Sequence, residues 1–312
     1  NPTIFEKAIK GSGAYDATIR AQAPGTSAEE VFEALAVEDL KRAAALFLPV
    51  FEATGGKDGW VSLEVSPLLA RDAQSTLAEA KRLHARVGMP NLFVKIPGTA
   101  ESLPAIEEAI FAGIPVNVTM LFSVEQYLAA AEAWARGIER RRAAGLSTDV
   151  ASVASLFVSR WDTAVAGKVP PELQNGLGIA VARSALAGYR RLCASPRWQH
   201  FSTAQRLLFA STGTKDPAAS PVLYVHTLAA AGTVNTLPEA TLQALASAEE
   251  PGGECPDDGV EATATLAAFA AAGIDAGELA ARLQQQGADA FVASWSELMA
   301  VIAARRAAMA SS

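Results

Sequence analysis

The 312-residue sequence predicts an α/β fold: one closed (β/α)8 barrel, the TIM-barrel architecture, with residues 1–312 forming a single domain that ends in C-terminal helices. Three observations carry this expectation. Short apolar runs alternate with amphipathic stretches of ten or more residues, the pattern of βαβ units. Several of those runs are apolar throughout rather than at every second position, as expected of strands buried on both faces of a parallel sheet. Neither a Gly-x-Gly-x-x-Gly fingerprint nor a Gly-x-x-x-x-Gly-Lys loop occurs, which disfavours the dinucleotide-binding version of the class.

The elements follow in order. Residues 60–65 form a β-rich run, and a helix is predicted over 72–87, with Leu77, Ala80, Lys81 and His84 at helical spacing and Gly88-Met89-Pro90 as its stop. Residues 92–96 read as a buried strand, 102–112 as a helix ended by Gly113, and 115–119 as a strand. Ser123 caps the next helix, with Gln126 at the N3 position of a capping box; this helix runs into the arginines of 136–142, read as a solvated helix end. Further strands are expected at 150–158 and 207–211, and at 222–225 or 233–236. Residues 251–259 are the most irregular stretch and are read as a surface loop. Residues 288–310 read as a helix with Phe291, Trp295, Leu298 and Ile302 on one face.

Half the residues are apolar and 19% are charged, which rules out intrinsic disorder. The net charge of −7 argues against nucleic acid or an anionic membrane as partner, while leaving room for a local basic pocket for one small phosphate. Cys193 and Cys255 are the only cysteines, so neither a disulfide framework nor a cysteine-rich zinc site is expected. His84, His200 and His226 have no metal-ligand spacing, and no metal is expected. No uninterrupted apolar run approaches 18 residues, and the start of the chain lacks the basic and apolar regions of a signal peptide; the expectation is a cytoplasmic protein, monomer or homodimer, with no membrane span.

Of eight lysines, only Lys95 is embedded in an apolar strand. Burial disfavours the ammonium, and a lysine that is partly neutral near pH 7 attacks carbonyls to form Schiff bases; the alternative is a strand-end lysine that reaches solvent or pairs with a carboxylate. Glu64 stands at the equivalent place one βα unit earlier, where it is either an edge-strand carboxylate or a proton shuttle beside an iminium. Asn117 and Thr119 share one polar face of their strand, suited either to a hydroxylated substrate or to each other as a satisfied core pair. Ser155 and Arg160 flank an apolar strand end. Arg160 either clamps a phosphate or pairs locally, as with Asp162. Ser211-Thr212-Gly213-Thr214-Lys215 follows an apolar run and suits either a phosphate or an ordinary turn. Together these groups stand near the ends of successive strands, where barrel enzymes carry their chemistry.

With these segments in view, the sequence resembles the transaldolases, class I aldolases of the pentose phosphate pathway. The matching motifs are Asn-Pro-Thr-Ile-Phe at 1–5, Val-Ser-Leu-Glu-Val at 61–65, Phe-Val-Lys-Ile-Pro at 93–97 and Asn-Val-Thr-Met-Leu-Phe-Ser at 117–123. Further matches are Ser-Leu-Phe-Val-Ser-Arg-Trp-Asp at 155–162, Ala-Ser-Thr-Gly-Thr-Lys at 210–215 and Val-Asn-Thr-Leu-Pro-Glu-Ala-Thr at 234–241, the last two resembling the longer bacterial and plant branch. The resemblance implies a (β/α)8 barrel without metal or organic cofactor. It implies transfer of a dihydroxyacetone unit from a ketose phosphate, sedoheptulose 7-phosphate or fructose 6-phosphate, to an aldose phosphate, glyceraldehyde 3-phosphate or erythrose 4-phosphate. By resemblance, Lys95 falls on the Schiff-base lysine, and Glu64 and Thr119 on the pair that positions a proton-shuttling water. Asn1, Asn117 and Ser155 fall on contacts to substrate hydroxyls, and Arg160 and Ser211 on phosphate contacts. Lys215 takes the place of a second cation where the shorter branch has an arginine. The family also carries an aspartate on a first strand ahead of the Thr-Asn-Pro motif. The numbered chain begins at that motif's asparagine, so this strand is expected outside it. Two alternatives follow: a related class I aldolase releasing free dihydroxyacetone, and an inactive sugar-phosphate-binding barrel.

Overall fold

The computed structural model describes residues 2–23, 25–248, 253–255 and 259–310. They fall into two compact units, residues 1–96 with 287–312, and residues 97–286. Asn1 and, within the expected loop, residues 251, 252 and 256–258 lie outside the described residues.

The first unit contains α1 (Pro2–Gly11), α2 (Asp16–Arg20), α3 (Ala28–Ala53), β1 (Val61–Glu64), α4 (Ala73–Val87) and β2 (Leu92–Pro97) up to Ile96. Helix α3 starts where Ser27 and Glu30 form a reciprocal capping box, which satisfies backbone N–H groups that the first turn leaves without partners. Asp72 caps α4 through the Ser75 N–H at 3.0 Å, and Gly88 closes it in the left-handed region at φ 62°. β1 and β2 pair in parallel, Val61 opposite Leu92 and Glu64 opposite Lys95. Trp60 stacks on Phe93 at 4.1 Å, and the buried Asn91 amide bonds the carbonyls of Ala44 and Gly59 at 2.9 and 2.8 Å. Phe32 meets Phe5 and Trp295 edge to face at 5.3 and 5.0 Å.

The second unit runs α5 (Leu103–Phe111), β3 (Val116–Leu121), α6 (Val124–Ala143), β4 (Ser152–Phe157), α7 (Ser159–Val165), α8 (Leu177–Ala194), α9 (Pro196–Gln199) and β5 (Arg206–Ala210). It continues through α10 (Leu223–Thr227), β6 (Val234–Asn235), α11 (Glu239–Ala246) and α12 (Val260–Ala271), and takes in α13 (Ala276–Ala310) as far as residue 286. β3 pairs β4, β4 pairs β5 and β5 pairs β6, each in parallel. Every residue of β3 is buried, as its unbroken apolar and small-polar composition requires. The α/β alternation with parallel pairing is thus the one the sequence predicts, with six strands among the described residues.

Of the two places expected for a further strand, 222–225 or 233–236, the second holds β6, while residues 223–225 open helix α10 and Tyr224 donates to Asp162. Three features differ from expectation. Ser123 caps α6 as predicted, but Gln126 takes the N–H of Phe122, one residue before the cap, at 2.7 Å. The arginines of 136–142 are anchored rather than simply solvated: Arg136 and Arg140 bind Glu107 at 2.6 and 3.0 Å, and Arg141 donates to the Phe111 carbonyl, fastening α6 to α5. Finally, α13 is long and apolar enough, over Ala276–Met309, to cross a membrane by length and composition alone. Counting uninterrupted apolar runs misses it. Its Leu298 and Ile302 are nevertheless fully buried, its Arg305 pairs with Asp16 at 2.9 Å, and its Gln284 donates to the carbonyls of Gly98 and Met120.

Candidate active site

Parallel pairing in register places the two first-unit candidates side by side. Glu64 and Lys95 are Cα partners across β1 and β2, and their side chains approach to 3.6 Å between Lys95 Nζ and Glu64 Oε1. Both are mostly withdrawn from solvent, with side chains 23% exposed for Lys95 and 12% for Glu64. β2 hides every other residue it has, so Lys95 is the single polar side chain of an apolar strand. Glu64 Oε2 is buried and has no hydrogen-bond partner among the described residues. A buried carboxylate oxygen without a donor calls for a water or a ligand hydroxyl. A cavity of about 200 Å³ in this unit is lined by Glu64, Phe32, Leu63, Ser66 and Trp295 among others, and not by Lys95. The carboxylate therefore borders both the cavity and the lysine, and can pass a proton directly or through one water.

The second unit holds the polar residues of β3 and β4. Asn117, Thr119 and Ser155 are all buried, and the Ser155 hydroxyl donates to Asn117 Oδ1 at 2.7 Å. The two side chains come from neighbouring strands, β3 and β4, so parallel pairing brings them together. Thr119 Oγ1 is buried without a partner among the described residues. Just beyond it the strand is irregular: the β3–β4 register shifts between Val118 and Leu121, and Met120 sits at φ 63°. A non-glycine residue in that region stores strain, and bulges of this kind re-aim side chains at functional positions.

Arg160 lies on α7 directly after β4. Among the described residues it makes no ion pair and no hydrogen bond; its guanidinium stands 5.3 Å over the Phe157 ring. Burial pushes its pKa below the ordinary arginine value. The local pair with Asp162 does not form, because Asp162 accepts instead from the Leu177 and Gly178 amides and the Tyr224 hydroxyl. Ser211, at φ 56°, is tied to the start of α7: its hydroxyl is 2.9 Å from that of Ser159, and its carbonyl accepts the Ser159 N–H at 2.9 Å. Arg160 and Ser211 thus belong to one connected segment pair, while Lys215 is exposed on the loop that follows. Asn1 lies outside the described residues. Local sequence pattern misses the Ser159–Ser211 contact, the bond of the Thr212 hydroxyl to Asn235 Oδ1 at 2.8 Å, and the Asp162–Tyr224 pair. Their partners stand 23 to 62 residues apart, where no local pattern points. Among the described residues no group of three or more His, Cys, Asp or Glu side chains is placed to hold a metal ion.

Residues 1–302 match the family model described as transaldolase/fructose-6-phosphate aldolase. The chain belongs to this family. Its relatives include a protein named transaldolase from Thermobifida fusca, 44% identical over 323 residues that cover 99% of this chain and 88% of the relative. Another so named, from Frankia alni, is 42% identical and covers 97% of this chain and 85% of its own length. A third, from Neisseria gonorrhoeae, is 41% identical over 96% of this chain and 87% of its own length.

Proposed function

We propose that the chain is a transaldolase acting through a Schiff base on Lys95. The observation that carries this reading is the 3.6 Å approach of Lys95 Nζ to Glu64 Oε1 on adjacent parallel strands, both side chains mostly buried. Lys95 adds to the carbonyl of a ketose phosphate, such as sedoheptulose 7-phosphate or fructose 6-phosphate, and loss of water gives an iminium. A base removes the C4 hydroxyl proton, the C3–C4 bond breaks, and its electrons move into the iminium to form an enamine. An aldose phosphate leaves. The enamine then adds to the carbonyl carbon of a second aldose phosphate, glyceraldehyde 3-phosphate or erythrose 4-phosphate, whose carbonyl oxygen becomes the new C4 hydroxyl, and hydrolysis frees Lys95 with the new ketose.

In this reading Glu64 and Thr119 take the two positions that hold the proton-carrying water in the family. The buried Glu64 Oε2 and Thr119 Oγ1, neither with a partner among the described residues, support it. Asn117 and Ser155 contact substrate hydroxyls, as Asn1 does in the family, and Arg160 and Ser211 take the phosphate with Lys215 at its rim. The half-buried guanidinium of Arg160, without a counter-ion among the described residues, supports that role, since a dianionic phosphate supplies the missing charge.

The test is borohydride reduction in the presence of fructose 6-phosphate, followed by peptide mass analysis. The expected result is one stable adduct on Lys95 and loss of turnover in Lys95→Ala. An unmodified Lys95, or activity kept by Lys95→Ala, overturns the mechanism. The family description also covers fructose-6-phosphate aldolases. Release of free dihydroxyacetone without an aldose acceptor would move the assignment to that reaction.

A further inference from the structure

Asp162 is a buried carboxylate, 5% exposed, that no step of the proposed reaction uses. Its Oδ1 accepts the N–H groups of Leu177 at 2.9 Å and Gly178 at 3.2 Å, and its Oδ2 accepts the Tyr224 hydroxyl at 2.9 Å. Leu177 and Gly178 open α8, where the amides of the first turn lack helical partners and the helix dipole favours a negative charge. Burial pushes the Asp162 pKa up, while these three donors pull it down. The carboxylate thus ties three segments: α7, which carries Arg160; the start of α8; and α10, which carries Tyr224. Space at this point is minimal. A Cβ on Gly178 would lie 2.5 Å from the Val158 carbonyl oxygen and 2.7 Å from Asp162 Oδ2, so only glycine fits.

Arg160, two residues before Asp162, needs its aim fixed from elsewhere. Its guanidinium has no ion pair or hydrogen bond among the described residues and rests only on the Phe157 ring. What is fixed is the backbone on either side. Before it, Ser159 is held by Ser211 through a backbone and a side-chain contact of 2.9 Å each. After it, Asp162 is held by Tyr224 and the α8 amides. We propose that Asp162 and Tyr224 form a positioning pair that holds Arg160 in register with Ser211 for a phosphate, a role that rests on the reading of Arg160 as a phosphate contact. The pair touches no reacting atom, so it governs how tightly a phosphorylated substrate is held and leaves the lysine chemistry alone.

The experiment compares Tyr224→Phe, Asp162→Asn and Arg160→Ala in the full chain, with fructose 6-phosphate as donor, unphosphorylated fructose as control, and inorganic phosphate as inhibitor. Tyr224→Phe removes one hydroxyl and leaves both α8 amides on Asp162. It is expected to raise KM for fructose 6-phosphate and the phosphate inhibition constant together by about 3- to 10-fold, the worth of one ordinary hydrogen bond. It is expected to leave kcat, and kcat/KM on fructose, within twofold, the pattern of weakened ground-state binding. Asp162→Asn is expected to shift the same two constants further, and reads the pair out if Tyr224→Phe does not fold. If Arg160→Ala raises KM for fructose 6-phosphate but neither other variant changes it or phosphate inhibition, the positioning role is overturned and the phosphate reading stands. If Arg160→Ala leaves both constants unchanged, the phosphate reading fails, and the positioning role with it. Equal losses on fructose and fructose 6-phosphate in Tyr224→Phe mark a merely structural pair and also overturn the proposal.

Discussion

Replacing Arg160 with alanine separates binding from folding unusually well. In most proteins, deleting a half-buried arginine strands a buried carboxylate, and the measured effect mixes ligand binding with that penalty. Here no carboxylate among the described residues pairs with Arg160, so none is stranded; within the protein the substitution removes the packing of the guanidinium over Phe157 at 5.3 Å. Such packing is worth about 0.5–1 kcal/mol, partly offset by relief of the desolvation that lowers the Arg160 pKa. The melting temperature is therefore expected to change by about 4 °C at most. A charge-assisted hydrogen bond to phosphate is worth about 1.5–3 kcal/mol, so KM for a phosphorylated ketose is expected to rise about 10- to 150-fold. The assay is steady-state turnover with fructose 6-phosphate and with unphosphorylated fructose, alongside thermal melting of both proteins. A KM shift below threefold, or an equal loss on both sugars, refutes the assignment of Arg160 to the phosphate.

Three further outcomes are expected. Glu64→Gln keeps the shape beside Lys95 but not the proton acceptor, so kcat is expected to fall by about 100-fold or more with KM nearly unchanged; a kcat within threefold of the parent in single-turnover kinetics contradicts the shuttle. Gly98→Ala puts a Cβ 2.3 Å from Leu121 Cδ2 and 2.9 Å from Val118 Cγ1 in the second unit's core, and is expected to cost about 1–3 kcal/mol in urea unfolding. Acidification is expected to weaken the fold through carboxylates held below their ordinary values. Arg197 holds Glu139 down, and Ser75 and Ser27 amides and hydroxyls hold Asp72 and Glu30 down. A depressed native pKa gives stability that is present above the unfolded value near 4.5 and is lost as pH falls through the native one. Asp162, whose pKa is raised by burial, acts with the opposite sign. Arg197→Ala should flatten the loss of melting temperature between pH 6 and pH 3 measured by calorimetry; an unchanged slope excludes the Glu139 contribution.

What was legible in the sequence is what local pattern encodes. Lys95 stands out because one cation interrupts an apolar strand, and Glu64 because it ends the preceding strand; parallel register then makes them Cα partners. Asn117 and Thr119 could be placed on one face from alternation alone, although only the structure shows that Asn117 meets Ser155, 38 residues on. Residues 222–225, Val-Leu-Tyr-Val, have the composition of a strand, yet Leu223–Thr227 is helical, and Tyr224 reaches Asp162 across 62 positions where no local pattern points. The arginines of 136–142 look solvated for the same reason, since Glu107 and the Phe111 carbonyl lie about thirty residues upstream. The left-handed backbone at Met120 and Ser211 leaves no trace in the sequence, because neither is the glycine that such a conformation favours.

The acidic balance of the chain also has a local resolution. A net charge of −7 spread over a surface is screened within about 8 Å at physiological salt, so it sets long-range repulsion but not the energy of a contact. What an anion meets at a site is the positive charge that the protein has not already neutralised. Several arginines here are engaged by carboxylates: Arg82 and Arg86 by Glu33, Arg136 and Arg140 by Glu107, Arg183 by Glu261, Arg197 by Glu132 and Glu139, and Arg305 by Asp16. Arg160 stands apart in this company, half-buried and without an ion pair among the described residues, in surroundings where a charge contact is several times stronger than in water. The carboxylate nearest to it in sequence, Asp162, is bound to amides and a phenol instead, so the acid that could have cancelled Arg160 is occupied in holding its segment. An acidic protein can present a strong anion contact in this way: one arginine left without its counter-ion, and the adjacent aspartate satisfied by donors that carry no charge.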